Sequence, residues 1–492
     1  VLFNSVQYAV FLAVVLAVFW NVPDRARLPV LLVASYVFYG WWDWWLCFLL
    51  AFTTVATWVA GRTLARMEDG PARTVVLLYG LAVPLGTLVA FKLAGFFVSD
   101  VGEGTGIGLQ LIGPGVELLV PVGLSFYTFQ AVSYVVDEYR REQKATPSLL
   151  DHALYISFFP HLLAGPILRS NRLVPALHRI PEHNTSARTA EGLELLLTGL
   201  FKKVVLADTL TASGVGLLTG PGIRDIGDLT TVRGLVGVAS GVLGDFFDIA
   251  GYIDMARGSA KLLGIDMQPN FIQPLTRSRY FGDFWRRWQI TIMGWFRDYV
   301  FRPLRGRKPS GLRESAALIA TFITVGLWHS GKVTWLIWGV LTASVLITET
   351  WVRRRLATRR RLLVKQAKAA GRPPPGAWRP EWFRRAYGLL YVYVVLALTV
   401  VWLGAPDAPS ALHAYRLLVV PSAGPIDGAA LLTLVLGATA LVLLDQRERV
   451  MYRVEGAWDP PTRARMLGFA VMVVGVVVYA GASSQPFVYF QF

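Results

Sequence analysis

Charge is scarce in this chain. Only 16% of its 492 residues are Asp, Glu, Lys or Arg, and 54% are apolar, whereas a soluble protein carries about 25% charged residues. Cysteine is nearly missing: Cys47 is the single one, which excludes an internal disulfide and any cysteine-based metal site. Lying in an aromatic run, it reads as a buried packing residue. The histidines, His152, His161, His178, His183, His329 and His413, show no metal-ligand spacing. Acids are outnumbered, 32 against 48 Lys and Arg, for a formal net charge of +16. The basic residues fall between apolar runs, so they read as anchors in cytoplasmic loops rather than as a nucleic-acid surface. No repeat of fixed period appears, and repeated halves are the main sequence sign of a transporter. Gly113–Leu118 (GPGVEL) is a turn signal and no phosphate loop, because no Lys-Ser/Thr follows it. Val1–Trp20 lacks a basic start and a clear small-residue cleavage site, so no cleavable signal is expected there.

What fills the chain instead is a series of apolar runs of membrane-spanning length. They give an all-α polytopic membrane protein, read as one integral-membrane domain over 1–492, with roughly ten to twelve spans. Phe3–Trp20 is the first. Leu28–Leu50 follows, with Trp41, Trp42, Trp44 and Trp45 marking a membrane interface. Phe52–Leu64 either continues it or forms a separate span. Val75–Val98 is next, and then Asp100–Gly115 reads as a glycine-rich loop. Pro121–Val136 is short and polar in spots, a half-span or a helix facing the bundle interior. Leu149–Ile167 carries Pro160, Gly165 and Pro166 and cannot be a regular lipid-facing helix. Glu194–Leu218 contains Lys202 and Lys203. Leu235–Leu263 carries Asp245, Asp248 and Asp254, which read as buried partners of Lys or Arg. Phe281–Phe301 has Trp285, Trp288, Gln289, Ile292 and Phe296 at helical steps and reads as one amphipathic helix. Arg353–Arg385 reads as a cytoplasmic loop, as does the basic break at Arg447–Arg465. Ala386–Leu403, Ala429–Leu444 and Met466–Ala482 complete the spans.

The stretch with most chemical content is Leu318–Thr350. It is long enough to cross a bilayer, and His329, Ser330 and Lys332 interrupt it at its middle. An ionisable side chain at that depth marks a functional site by default, and imidazole exchanges a proton near neutral pH. Trp328, Trp335 and Trp338 give it rigid aromatic surroundings. The structural alternative is an inert histidine bonded to a neighbouring helix.

Five blocks carry a resemblance: GLSFYTFQAVSYVVDEYR at Gly123–Arg140, FFPHLLAGPILRS at Phe158–Ser170, DFFDIAGYIDMARGSAKLLGI at Asp245–Ile265, YFGDFWRRWQITIMGWFRDYVFRPLRG at Tyr280–Gly306, and GLWHS at Gly326–Ser330. In that order they are similar to the membrane-bound O-acyltransferase (MBOAT) family, in its alginate O-acetyltransferase and D-alanyl-transfer branch. The likeness runs from the first span to the Phe487–Phe492 ending. The resemblance implies a bundle with re-entrant segments around a central tunnel, open to a donor from the cytoplasm and an acceptor from the other side. It implies that His329 is catalytic. The chain departs from the family at two places: Gln289 stands where the family usually has histidine, and Ser330 where it usually has glycine. Where this chain has His161 the family often has glutamine, so the His and Gln of the two blocks stand exchanged.

The expected chemistry is acyl transfer to a hydroxyl, with His329 as base acting directly on the acceptor. Gln289 reads either as an amide donor to the substrate or the oxyanion or as a glutamine satisfied by a neighbouring helix, and His161 either as an assisting group, if the two blocks meet, or as an unrelated residue satisfied beside a proline bend. Candidate substrate contacts are Trp285, Trp288, Trp328, Ser330, Arg286, Asp298 and Tyr299. For Arg286, Arg287, Arg297 and Asp298 the favoured alternative is structural ion pairing. No tightly bound cofactor and no metal are expected. The donor is an acyl coenzyme A or an acyl carrier protein, and an accessory extracytoplasmic acyltransferase is a candidate partner. The acceptor is a polysaccharide or glycan hydroxyl. Acylation of a lipid or secreted metabolite, a transporter, and a silent acyl-relay or scaffold protein are the competing functions.

Overall fold

A computed structural model describes residues 2–96, 121–143, 148–214, 231–330, 332–373, 380–405, 407–419, 428–451 and 463–479. The loop expected at Asp100–Gly115, the GPGVEL turn and the Phe487–Phe492 ending lie outside them. Every element among the described residues is helical. Among the described residues, six helical segments are long and apolar enough to cross a membrane: Leu46–Arg66, Pro71–Lys92, Gly234–Leu262, Val333–Ala369, Glu381–Gly404 and Gly428–Asp445. Val6–Asn21 and Met466–Tyr479 are apolar but shorter. This is a multi-pass membrane protein whose chain packs as two compact units.

The first unit draws on Val1–Thr209, Gly244–Pro269 and Arg453–Phe492. It begins with α1 (Val6–Asn21), α2 (Asp24–Gly40), α3 (Leu46–Arg66) and α4 (Pro71–Phe96). The Ser5 hydroxyl accepts from Tyr8 N–H and so starts α1. Trp41, Trp42, Trp44 and Trp45 are all exposed at the α2–α3 corner. Cys47, expected to be buried, is partly exposed there, because it sits in the first turn of α3 beside that open corner. At the other end of α3, Asp69 pairs with Arg141 and Arg73, and these guanidiniums hold its carboxyl below the ordinary carboxylate range.

Next come α5 (Leu124–Tyr139), α6 (Leu149–Ser157) and α7 (Phe159–Leu162). α5 is buried along nearly its whole length, as are both short helices of the Pro160 block. The interior reading of Pro121–Val136 and Leu149–Ile167 therefore holds. Glu194–Leu218, read as one span, is different: the α-helix Ser186–Leu200 passes into a π-helical turn, Phe201–Ala207, before Asp208–Gly214. That turn buries two lysines and satisfies both. Lys202 Nζ lies 2.7 Å from Asp254, and Lys203 Nζ lies 2.8 Å from each of Asp208 and Asp248. Asp248 and Asp254 come from α8 (Thr231–Leu262), so both are buried ion-pair partners as expected. Removing one member of such a pair costs about 3–5 kcal/mol, since the other charge stays buried.

The second unit draws on Leu210–Leu243 and Asn270–Tyr452. Its elements are α9 (Phe281–Trp285), α10 (Ile290–Phe296), α11 (Gly311–His329), α12 (Val333–Ala369) and α13 (Glu381–Gly404), with the helix Gly428–Met451 after them. Three readings are corrected here. Leu318–Thr350 is not one span but the facing arms of two antiparallel helices, α11 and α12, because Ser330 adopts an extended conformation that no helix contains. Phe281–Phe301 is not one amphipathic helix but α9, a corner at Gln289, α10, and a π-helical turn at Arg297–Phe301. Arg353–Arg385 is not a loop at its start, since α12 continues unbroken to Ala369. Its Leu, Ala, Arg, Lys and Gln are strong helix formers, and their propensity outweighs the like charges.

Candidate acyl-transfer site

The α11–α12 hairpin presents His329 at its tip. Ser310 caps the start of α11 by accepting from Arg313 N–H. The two helices then approach so closely that only glycine fits at two crossing points. A Cβ on Gly326 would lie 2.5 Å from the carbonyl oxygen of Trp335, and one on Gly339 would lie 2.5 Å from that of Phe322. Small residues of this kind let membrane helices pack backbone to backbone. His329 is the last residue of α11, and Ser330 N–H still bonds back to Gly326 O at 2.9 Å. The imidazole stacks on Trp335 with centroids 4.9 Å apart, and the Trp328 ring lies 4.0 Å away. Both indoles are buried, while the histidine between them is only half-buried. The arrangement fixes the ring and leaves part of it accessible, which is what a base acting on an incoming group requires.

α9 is tied to the same hairpin at two places. Glu349 of α12 accepts from Phe281 N–H (2.6 Å) and Gly282 N–H (3.0 Å), the open amides at the start of α9. Further along, Trp285 packs edge-on against Phe322 of α11 (5.4 Å) and Trp338 of α12 (5.9 Å). Trp288 stacks on Phe284 and meets Phe271 edge-on. The chain then turns at Gln289, which is 7% exposed and has φ 41° and ψ 55°. Left-handed backbone costs a non-glycine residue of order 1–3 kcal/mol, and such positions cluster at functional sites. Beyond the corner, α10 brings Phe296 to 5.9 Å from Trp328. Tyr299 follows in the π-helical turn, its ring 5.1 Å from Trp295.

The charged candidates have partners within their own segment. Asp283 pairs with Arg287 (3.2 Å) and Arg286 (3.8 Å), and Asp298 pairs with Arg297 and Arg302 (2.9 Å each). Arg286 also donates to the Tyr280 hydroxyl, and the Arg353 guanidinium lies 3.4 Å from the centre of the Tyr280 ring. Structural ion pairing therefore describes these side chains. Among the described residues no group of three or more His, Cys, Asp or Glu could hold a metal ion.

The second unit thus gathers Trp285, Trp288, Gln289, Asp298, Tyr299, Trp328, His329 and Ser330 on elements packed around one hairpin. Arg286 belongs to the same segment and is exposed. His161 belongs to the first unit. It is buried, with its Nε2 2.9 Å from Gln130 Nε2 and its ring edge-on to Phe158. Sequence reasoning missed Glu349 and Asn270. A carboxylate at the end of an apolar run was a usable signal for Glu349. Asn270 gave none, since it lies in an irregular segment with no periodicity.

The class is therefore a multi-pass, all-helical membrane protein with a histidine-bearing hairpin. Residues 31–362 match the model of the membrane-bound O-acyltransferase family, and the chain belongs to that family. It is 37% identical over 343 residues to the probable alginate O-acetylase AlgI of Pseudomonas aeruginosa, covering 68% of this chain and 63% of that protein. It is 29% identical over 336 residues to the peptidoglycan O-acetyltransferase of Helicobacter pylori, covering 63% and 62%. With the teichoic acid D-alanyltransferase of Streptococcus thermophilus it shares 28% identity over 271 residues, covering 52% and 62%.

Proposed function

We propose that this chain is an O-acyltransferase that moves an acetyl group from a cytoplasmic thioester, an acyl coenzyme A or acyl carrier protein, to a hydroxyl of an extracytoplasmic polysaccharide. The observation that carries the reading is His329, half-buried between Trp328 and Trp335 at a hairpin tip inside the family match. The acceptor class follows from relatives named for alginate, peptidoglycan and teichoic acid.

In this reading His329 takes the hydroxyl proton as the oxygen attacks the thioester carbonyl. The tetrahedral oxyanion is stabilised by amide donors, Gln289 among them. Collapse breaks the carbon–sulfur bond, and the leaving thiolate recovers the proton from the imidazolium. No covalent acyl-enzyme is required. Trp285, Trp288, Trp328, Ser330 and Tyr299 shape the surroundings of the reacting groups. His329→Ala, with expression and membrane insertion verified, is expected to lower acylated product by about 10²–10⁴-fold, the usual contribution of a general base. Undiminished product from that variant refutes the assignment.

A further inference from the structure

The first turn of a helix leaves backbone N–H groups without partners inside the helix, and the residue at the N-cap position commonly satisfies one with its own side chain. At the start of α10 that position is Gln289, whose side chain makes no capping bond. The cap comes from a different segment. Asn270 Oδ1 accepts from Thr291 N–H at 2.9 Å and from the Thr291 hydroxyl at 2.8 Å, and the Asn270 carbonyl accepts from Ile290 N–H at 2.9 Å. Asn270 and Thr291 are both buried. A further backbone bond, Ile272 N–H to Arg287 O at 2.9 Å, ties the same segment to the residues before the corner. Unfavourable backbone persists only where its surroundings over-determine it, and these bonds bracket Gln289 on both sides.

We propose that Asn270 is a positioning residue for acyl transfer: by capping α10 in trans it holds the left-handed Gln289 corner and so sets the direction of the Gln289 side chain. The inference rests on the role given to Gln289 above. It takes no part in the reaction through its own atoms.

The test is a double-mutant cycle on the whole chain in lipid nanodiscs, with acetyl coenzyme A as donor, an alginate oligosaccharide as acceptor probe and acceptor-dependent thiol release as the readout. Asn270→Ala is expected to lower kcat by roughly 10–100-fold, the scale of a small misplacement at a reacting centre. KM for acetyl coenzyme A should stay within about twofold, because ground-state binding is untouched. Combined with Gln289→Ala, it should cost nothing beyond Gln289→Ala alone. Asn270→Asp, which accepts the same two bonds, should recover most of the rate. Should Asn270→Ala fail to fold, Asn270→Ser keeps one acceptor and carries the same cycle. Losses that multiply in the double variant, or an Asn270→Asp variant as slow as Asn270→Ala, overturn the proposal. If Gln289→Ala is slow while Asn270→Ala is not, only the positioning role falls. A Gln289→Ala variant with full kcat overturns both it and the role of Gln289.

Discussion

Gly326 is where packing and chemistry meet most closely, and Gly326→Ala is the perturbation that separates them. The added methyl would lie 2.5 Å from the Trp335 carbonyl oxygen and 3.0 Å from its carbon, where ordinary contact begins at 3.4 Å. Both atoms are backbone, so no side chain can swing aside. The arms of the hairpin must part by roughly 1 Å, and overpacking of this kind typically costs about 1–3 kcal/mol. His329 follows Gly326 by less than one helical turn and stacks on the same Trp335, so the displacement falls on the imidazole. A misplacement of about 1 Å at a reacting group costs on the order of 10²-fold in rate. Gly294→Ala is the control. It lies inside α10 with nothing within 4 Å of an added Cβ, and alanine in place of a mid-helix glycine is expected to stabilise by roughly 0.5–1 kcal/mol. The assay pairs thiol release from acetyl coenzyme A, in the presence of an alginate oligosaccharide as acceptor probe, with melting of the detergent-solubilised protein. Wild-type turnover and melting in Gly326→Ala, or equal damage from Gly294→Ala, would refute the reasoning.

Glu349→Ala should strip the α9 amides of a charged acceptor and lower the melting temperature, by an equivalent of about 1.5–3 kcal/mol for the charge-assisted bonds lost; Glu349→Gln should lose less, and equal melting in all three proteins would count against the clamp. Cysteines placed in Arg353–Arg385 or in Arg447–Arg465, after Cys47 is replaced, should resist an impermeant thiol reagent applied outside intact cells, because basic segments stay cytoplasmic; labelling of either would contradict the topology.

The candidate site was legible because an ionisable group inside an apolar run is a one-dimensional signal. His329 and its tryptophans stand out for that reason, and so do Asp248 and Asp254, whose partners proved to be Lys203 and Lys202. The hairpin was less legible. A polar break in an apolar run marks either a functional group within a span or a turn between two helices, and periodicity cannot separate these. Length could have: at about 1.5 Å per residue, Leu318–Thr350 as one helix would be roughly 50 Å long, well beyond a hydrocarbon core of about 30 Å. The basic arm of α12 reads as a loop by charge alone, whereas its Leu, Ala, Arg, Lys and Gln favour the helix that forms there.

The Gln289 corner had no such remedy. Apolar and aromatic residues keep their three- and four-residue steps on both sides of it, so the pattern of Phe281–Phe301 is that of a continuous helix. The residue that breaks it, Asn270, acts from 21 positions before Thr291, through bonds that exist only once the chain has folded. A helix boundary imposed by its own capping residue can be read from sequence; one imposed in trans cannot. That difference bears on function. A corner held from elsewhere can present a strained glutamine without committing its side chain to the helix it begins, and that makes Asn270 a more informative target than the residue it positions.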